Sequence, residues 1–157
     1  MGKAIRAEDA LQLREEARTD GKKVVFTNGV FDLLHVGHLD YLTKSKKMAD
    51  LLIVGLNSDS SANLLKGEGR PLNSEMDRAE LLSGFKCVDA VVIFPEETPL
   101  ELIKILKPDF LVKGSDYSLN EIVGREFVES YGGKVLSIEL RRGYSTNSLI
   151  EKISGGN

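Results

Sequence analysis

Cysteine, histidine and tryptophan are scarce in this chain of 157 residues, which holds one Cys, two His and no Trp. The lone Cys87 has no internal partner, which excludes a small domain built on disulfides. No apolar run approaches the roughly 18 residues of a membrane span, so a membrane is not an expected partner. The first fifteen residues carry Lys3, Arg6, Glu8, Asp9, Arg14 and Glu15 and leave no apolar core for a signal peptide. Gly2 hints at myristoylation, but Arg6 stands where Ser or Thr is needed. A cytoplasmic protein is expected. Charge of one sign is lacking too: 21 Lys plus Arg face 24 Asp plus Glu, for a net −3. That argues against a globally basic nucleic-acid binder, while leaving room for a local basic patch.

What is present suits one compact domain over residues 1–157. With 41% hydrophobic and 29% charged residues the chain lies outside the disordered range. At this length it buries roughly 70% of its unfolded surface and needs no staple. Leu11, Leu13 and Ala17 among charges predict an opening helix over about 7–20. Apolar strands are expected at Val24–Thr27, Leu51–Leu56, Ala90–Phe94, Phe110–Lys113 and Lys134–Ile138. Helical patterns cover Val36–Met48, a stretch N-capped by Ser74 and running to Leu82, Pro99–Leu106, Glu121–Tyr131, and Ser145 onward. Near-continuous apolar strands separated by helices predict an α/β, Rossmann-like single domain. Its central parallel sheet has five strands, helices cover both faces, and the core spans about 22–153. Ligands in such folds bind at the carboxyl ends of strands, where the chain order reverses.

The most informative segment is Thr27-Asn28-Gly29-Val30-Phe31-Asp32-Leu33-Leu34-His35-Val36-Gly37-His38. It leaves the first predicted core strand, turns at a Gly and enters a helix with both histidines at its start. Positions i and i+3 share a helix face, and the free N–H groups and dipole there favour an anion. Gly37 removes a side chain between them and allows another backbone or a phosphate to approach closely. Two histidines three apart also suit a metal, but zinc needs three or four protein ligands, and no third His exists. No metal site is therefore assigned. Gly67-Glu68-Gly69 lacks the third Gly and the strand-to-helix frame of a dinucleotide fingerprint. Lys44, Lys46 and Lys47 form a charge run of the kind that usually faces solvent, and Cys87 reads as a small core residue.

The strand, loop and helix around His35-Val36-Gly37-His38 resemble the HxGH nucleotidyltransferase superfamily. Arg141-Arg142-Gly143-Tyr144-Ser145-Thr146-Asn147-Ser148 resembles that family's Ser-Thr signature opening a helix, with Asn147 where a second Thr is usual. Val54-Gly55-Leu56-Asn57-Ser58-Asp59, Leu65-Lys66-Gly67, Arg70-Pro71-Leu72-Asn73 and Leu111-Val112-Lys113-Gly114-Ser115-Asp116-Tyr117 are similar to the heptose 1-phosphate adenylyltransferase branch. The likeness covers about Lys22 to Ile153.

The resemblance implies transfer of AMP from ATP to a sugar 1-phosphate, with Mg²⁺ held mainly by the ATP phosphates. His35, His38 and Lys46 are the implied catalytic residues. Thr27, Asn28, Gly29, Phe31, Gly37, Lys113, Gly114, Asp116, Tyr144, Ser145 and Thr146 are implied to hold the nucleotide. Asp32, Asn57, Lys66 and Arg78 are implied to meet the sugar phosphate, Arg78 through its likeness to a phosphate-contacting Arg, although a surface role suits it equally. A homodimer is implied as well. Because relatives often carry a fused sugar kinase for which this length leaves no room, a stand-alone transferase with a separate upstream kinase is expected. Two alternatives stand beside this reading: a cytidylyltransferase acting on glycerol 3-phosphate or a related alcohol phosphate, and a non-catalytic nucleotide-binding module.

Overall fold

The computed structural model describes residues 2–155. Strands β1 (Lys3–Ile5), β2 (Val24–Gly29), β3 (Leu51–Asn57), β4 (Ala90–Phe94), β5 (Phe110–Gly114) and β6 (Lys134–Ile138) form one sheet. Its order is β1-β4-β3-β2-β5-β6, and every neighbouring pair is parallel. The helices are α1 (Ala7–Thr19), α2 (Val36–Lys46), α3 (Asp59–Lys66), α4 (Glu75–Ser83), α5 (Leu100–Leu106), α6 (Arg125–Ser130) and α7 (Thr146–Ser154).

Side chains alternate across a strand, and the sheet divides the core accordingly. Val24, Phe26, Ile53, Ala90 and Val92 pack on one face beneath Ala10 and Ala17 of α1, Leu102, Ile103 and Leu106 of α5, and Val128 of α6. Val25, Leu52, Val54 and Val91 pack on the other beneath Leu42 of α2 and Ala79 and Leu82 of α4. Both faces are covered, which is why these strands read as unbroken apolar runs. After β4 the chain crosses from one side of β2 to the other. The order therefore reverses at β2, and the carboxyl ends of β2 and β5 flank the opening.

The sheet has six strands where five were expected. β1 is three residues long and pairs only with β4, Lys3 opposite Ala90 and Ile5 opposite Val92. α3 adds a helix between β3 and α4 where no element was predicted. Ser58 caps it by accepting from the Ser61 amide, and its Ser- and Asn-rich start has weak helix propensity. The expected Glu121–Tyr131 helix divides into a 3-10 turn at Leu119–Glu121 and α6, with Gly124 between them at φ +89°. In α1 the buried face carries Arg14 rather than Leu11. The Arg14 guanidinium pairs with Asp109 at 3.2 Å and donates to the Leu106 and Lys107 carbonyls at the end of α5.

Candidate functional site

β2 leaves the sheet at Gly29, and Phe31 follows with a left-handed backbone, φ +48°. That conformation costs a residue with a side chain roughly 1–2 kcal/mol, and such strain collects at functional sites. The buried Phe31 ring lies against His38, edge to face at 5.4 Å. A Cβ on Gly29 would meet that ring at 2.9 Å, so only Gly fits above it.

His35 is the N-cap of α2. Its Nδ1 accepts from the Gly37 amide at 3.1 Å, and His38 Nδ1 accepts from the His35 amide at 3.3 Å. Two imidazoles thus form the reciprocal cap usually built from Ser or Thr and Glu. The rings stack with centroids 3.8 Å apart. A ring nitrogen that accepts a hydrogen bond carries no proton, so the neutral rings hold theirs on Nε2. Burial lowers the pKa of His35. Burial first and the neighbouring His35 second push His38 down to about 4. At neutral pH the pair offers two N–H donors without charge. A Cβ on Gly37 would meet the His35 ring and Tyr144 Cβ, each at 2.9 Å. That gap is filled by the histidine itself, not kept for a phosphate.

α7 opens beside this pair. Ser145 Oγ accepts from the Ser148 amide at 3.0 Å, and Thr146 Oγ1 donates to the Leu33 carbonyl at 3.1 Å. The second bond ties α7 to the loop that carries His35. Tyr144 stacks with His35, centroids 6.3 Å apart.

Between these helix starts lies a cleft of about 500 Å³. Its wing beyond β5 and β6 is lined by Lys113, Gly114, Asp116, Tyr117, Leu140 and Arg141; its wing beyond β3 by Asn57, Leu65, Lys66 and Arg70. Lys113 Nζ donates to the Asn28 carbonyl at 3.0 Å and sits 4.8 Å above the Tyr117 ring. Burial lowers its pKa to about 8, with Asp116 opposing the shift and Lys66 adding to it. Asp32 is only 3% exposed. Burial alone would raise its pKa, but the amides of Asn73 and Leu72 and the Arg70 guanidinium outweigh it and hold the carboxyl below its ordinary value.

The cleft brings together Asn28, Gly29, Phe31, Asp32, His35, Gly37, His38, Asn57, Lys66, Lys113, Gly114, Asp116, Tyr144, Ser145 and Thr146, with Asn147 beside them. Three expected residues lie elsewhere. Lys46 sits at the far end of α2 and pairs with Asp89 at 2.6 Å, near the amino ends of β3 and β4. Eleven residues of helix beyond the N-cap carry it about 16 Å from the cleft end, so it does not approach a ligand there. Thr27 is fully buried, its hydroxyl bonded to that of Tyr41 at 2.7 Å. Arg78 is neither at the surface nor on the cleft. It is fully buried and donates to the carbonyls of Val30, Asn57 and Asn73 and to Asp59. Sequence reasoning missed Arg70, Tyr117, Leu140 and Arg141 as cleft residues. The carboxyl-end rule applied to β6 points to Leu140 and Arg141, and Arg70 stood inside a motif already singled out.

No three His, Cys, Asp or Glu side chains gather as a metal site among the described residues. Of the two carboxylates on the cleft, Asp32 is already engaged by Arg70 and two amides. Asp116 is left for a cation. That donor set fits a magnesium ion carried chiefly by phosphate oxygens and water.

A parallel sheet whose order reverses at β2, with two helix starts side by side at its carboxyl edge, defines an α/β domain of the Rossmann-like class. The chain belongs to the cytidylyltransferase-like family, whose model matches residues 26–155. It is 55% identical over 150 residues to the bifunctional protein HldE of Syntrophotalea carbinolica, covering 95% of this chain and 31% of that one. HldE of Geobacter sulfurreducens is 56% identical over 136 residues, 87% of this chain and 28% of that one. The chain thus spans under a third of the length of these curated relatives. The crystal structure of the lipopolysaccharide core biosynthesis protein from Thermoplasma volcanium GSS1 superposes with a TM-score of 0.63 at 30% identity, over 80% of this chain and all of the other. No described helix is long and apolar enough to cross a membrane.

Proposed function

We propose that this domain transfers AMP from ATP to a heptose 1-phosphate, giving ADP-heptose and pyrophosphate for lipopolysaccharide core precursors. The observation that carries the reading is the stacked His35–His38 pair. Each Nδ1 is occupied by a backbone amide, which leaves two Nε2–H donors beside the α7 N-terminus. The HldE relatives and the lipopolysaccharide core structure support the choice of sugar.

An oxygen of the sugar phosphate attacks the α-phosphorus in line, and the bond to the bridging oxygen breaks as pyrophosphate leaves. A phosphomonoester with a second pKa near ~6 is mostly dianionic at neutral pH, so no general base is needed. The two imidazole N–H groups stabilise charge on the α-phosphate and the leaving group. The free amides of α7, with Ser145, Thr146 and Asn147, receive the triphosphate tail. Lys113 and the apolar wall of Gly114, Tyr117 and Leu140 hold the nucleoside. Asp116 is the residue that would hold a magnesium ion carried by the triphosphate, and the ion would supply neutralising charge there. The same reading includes a homodimer and an upstream sugar kinase activity.

Pyrophosphate release, measured for ATP, CTP and GTP against heptose 1-phosphate, glycerol 3-phosphate and glucose 1-phosphate, tests the proposal. Release with ATP and heptose 1-phosphate alone is expected. Release with CTP and glycerol 3-phosphate replaces the reading with a cytidylyltransferase. Nucleotide binding without release from any pair makes the domain a non-catalytic module.

A further inference from the structure

The Asp32 carboxylate is buried on the cleft, but its oxygens are committed to the chain itself. Arg70 Nε donates to Oδ2 at 2.8 Å; the Leu72 amide donates to Oδ1 at 2.8 Å and the Asn73 amide at 3.0 Å. Asn73 Nδ2 returns a bond to the Asp32 carbonyl at 2.8 Å. Together these pin residues 70–73, between α3 and α4, onto the loop that leaves β2. Arg70 uses only Nε in this clamp. Among the described residues no other hydrogen bond or ion pair engages its guanidinium.

The side chain of Arg70 is 18% exposed and lies on the cleft wall with Lys66. A guanidinium fixed at Nε keeps its Nη1–Nη2 edge free, and two parallel N–H groups match two phosphate oxygens. The two wings of the cleft differ in chemistry. The β5–β6 side offers Gly114, the Tyr117 ring and Leu140, flat and apolar groups suited to a base, among the charged Lys113, Asp116 and Arg141. The β3 side sets Lys66, Arg70 and Asn57 beside Leu65, with no acidic group among the described residues except the engaged Asp32, and suits a hydroxylated phosphate.

The geometry points to Arg70 as the residue that grips the phosphate of the acceptor sugar, with Asp32 as the positioning residue that aims it rather than as a substrate ligand. This rests on the nucleotidyl-transfer reading for the identity of the acceptor. Steady-state kinetics of Arg70→Ala, Arg70→Lys and Asp32→Asn test it.

Arg70→Ala is expected to raise KM for heptose 1-phosphate about 10- to 100-fold, the range of a lost charge-assisted pair. KM for ATP should stay within about twofold, as it does when only acceptor binding is removed. Arg70→Lys recovers part of the loss, and Asp32→Asn shows the same split between substrates. An unchanged acceptor KM in Arg70→Ala, or a rise confined to ATP, overturns the assignment. If wild type turns over no heptose 1-phosphate, the proposed function fails, and calorimetry with glycerol 3-phosphate then reads the grip directly. Binding that Arg70→Ala abolishes upholds the assignment, and binding that persists in the variant, or is missing from wild type, overturns it.

Discussion

His35 and His38 spend their Nδ1 atoms on capping their own helix, which fixes the rings and the tautomer together. His35→Ala and His38→Ala should therefore each lower kcat about a hundred- to a thousand-fold, the usual loss for one preorganised donor. A stopped pyrophosphate assay beside circular dichroism checks that turnover falls while the fold stays. The same burial leaves a thermodynamic trace. The folded pKa of His38 lies below its ordinary value, so between about 6.5 and about 4 the unfolded chain holds a proton that the folded chain refuses. Stability is fully present above that window and is lost as the pH falls through it. His38→Gln should flatten the drop in melting temperature between pH 6.5 and 4.5; an unaltered drop refutes the assignment. Arg78 is a residue-scale correction with its own consequence. Its fully buried guanidinium satisfies the carbonyls of Val30, Asn73 and, at the end of β3, Asn57, and Arg78→Met strands all three. We expect a loss of about 3–5 kcal/mol, or roughly 10 °C in melting temperature at this size, read by calorimetry.

At the scale of elements, the proposed function assigns anion binding to the helix starts, and the sheet sets where they stand. α7 begins with Ser145 as cap and Thr146 tied to Leu33, and Asn147 occupies the third position on the cleft. An amide NH₂ donates to phosphate as a hydroxyl does. Asn147→Thr should accordingly leave kcat/KM for ATP within about threefold, and a larger gain would show that the Asn weakens the tail site. Long apolar strands and their following helices were legible because burial on both faces leaves an unbroken hydrophobic signal. β1 was not, since three residues with an exposed Lys owe their strand state to β4, a partner almost ninety positions away. α3 was hidden by Ser and Asn residues that read equally as turn and as cap.

At the scale of the molecule, the legible part of the site follows the same logic. His35, His38 and Ser145 could be read because local spacing alone puts them at helix starts. Lys46 could not be placed that way: it shares a helix with the histidines, yet the helix axis carries it to the opposite edge of the sheet and onto Asp89. The role of Arg70 depends on Asp32, thirty-eight positions earlier, and becomes visible only when the α3–α4 loop folds over β2. The net charge of −3 says little about the ligand, because a few local donors and helix starts suffice to meet a polyanion even within an acidic surface. The central claim is nucleotidyl transfer by an uncharged histidine pair, and phosphorus NMR of the domain with ATP, magnesium and heptose 1-phosphate tests it most directly. The account predicts sugar-diphosphate and pyrophosphate signals growing in equal amounts with wild type and absent with the His35→Ala/His38→Ala double variant. Equal product from the double variant, or ATP consumed only to ADP and phosphate, would contradict it.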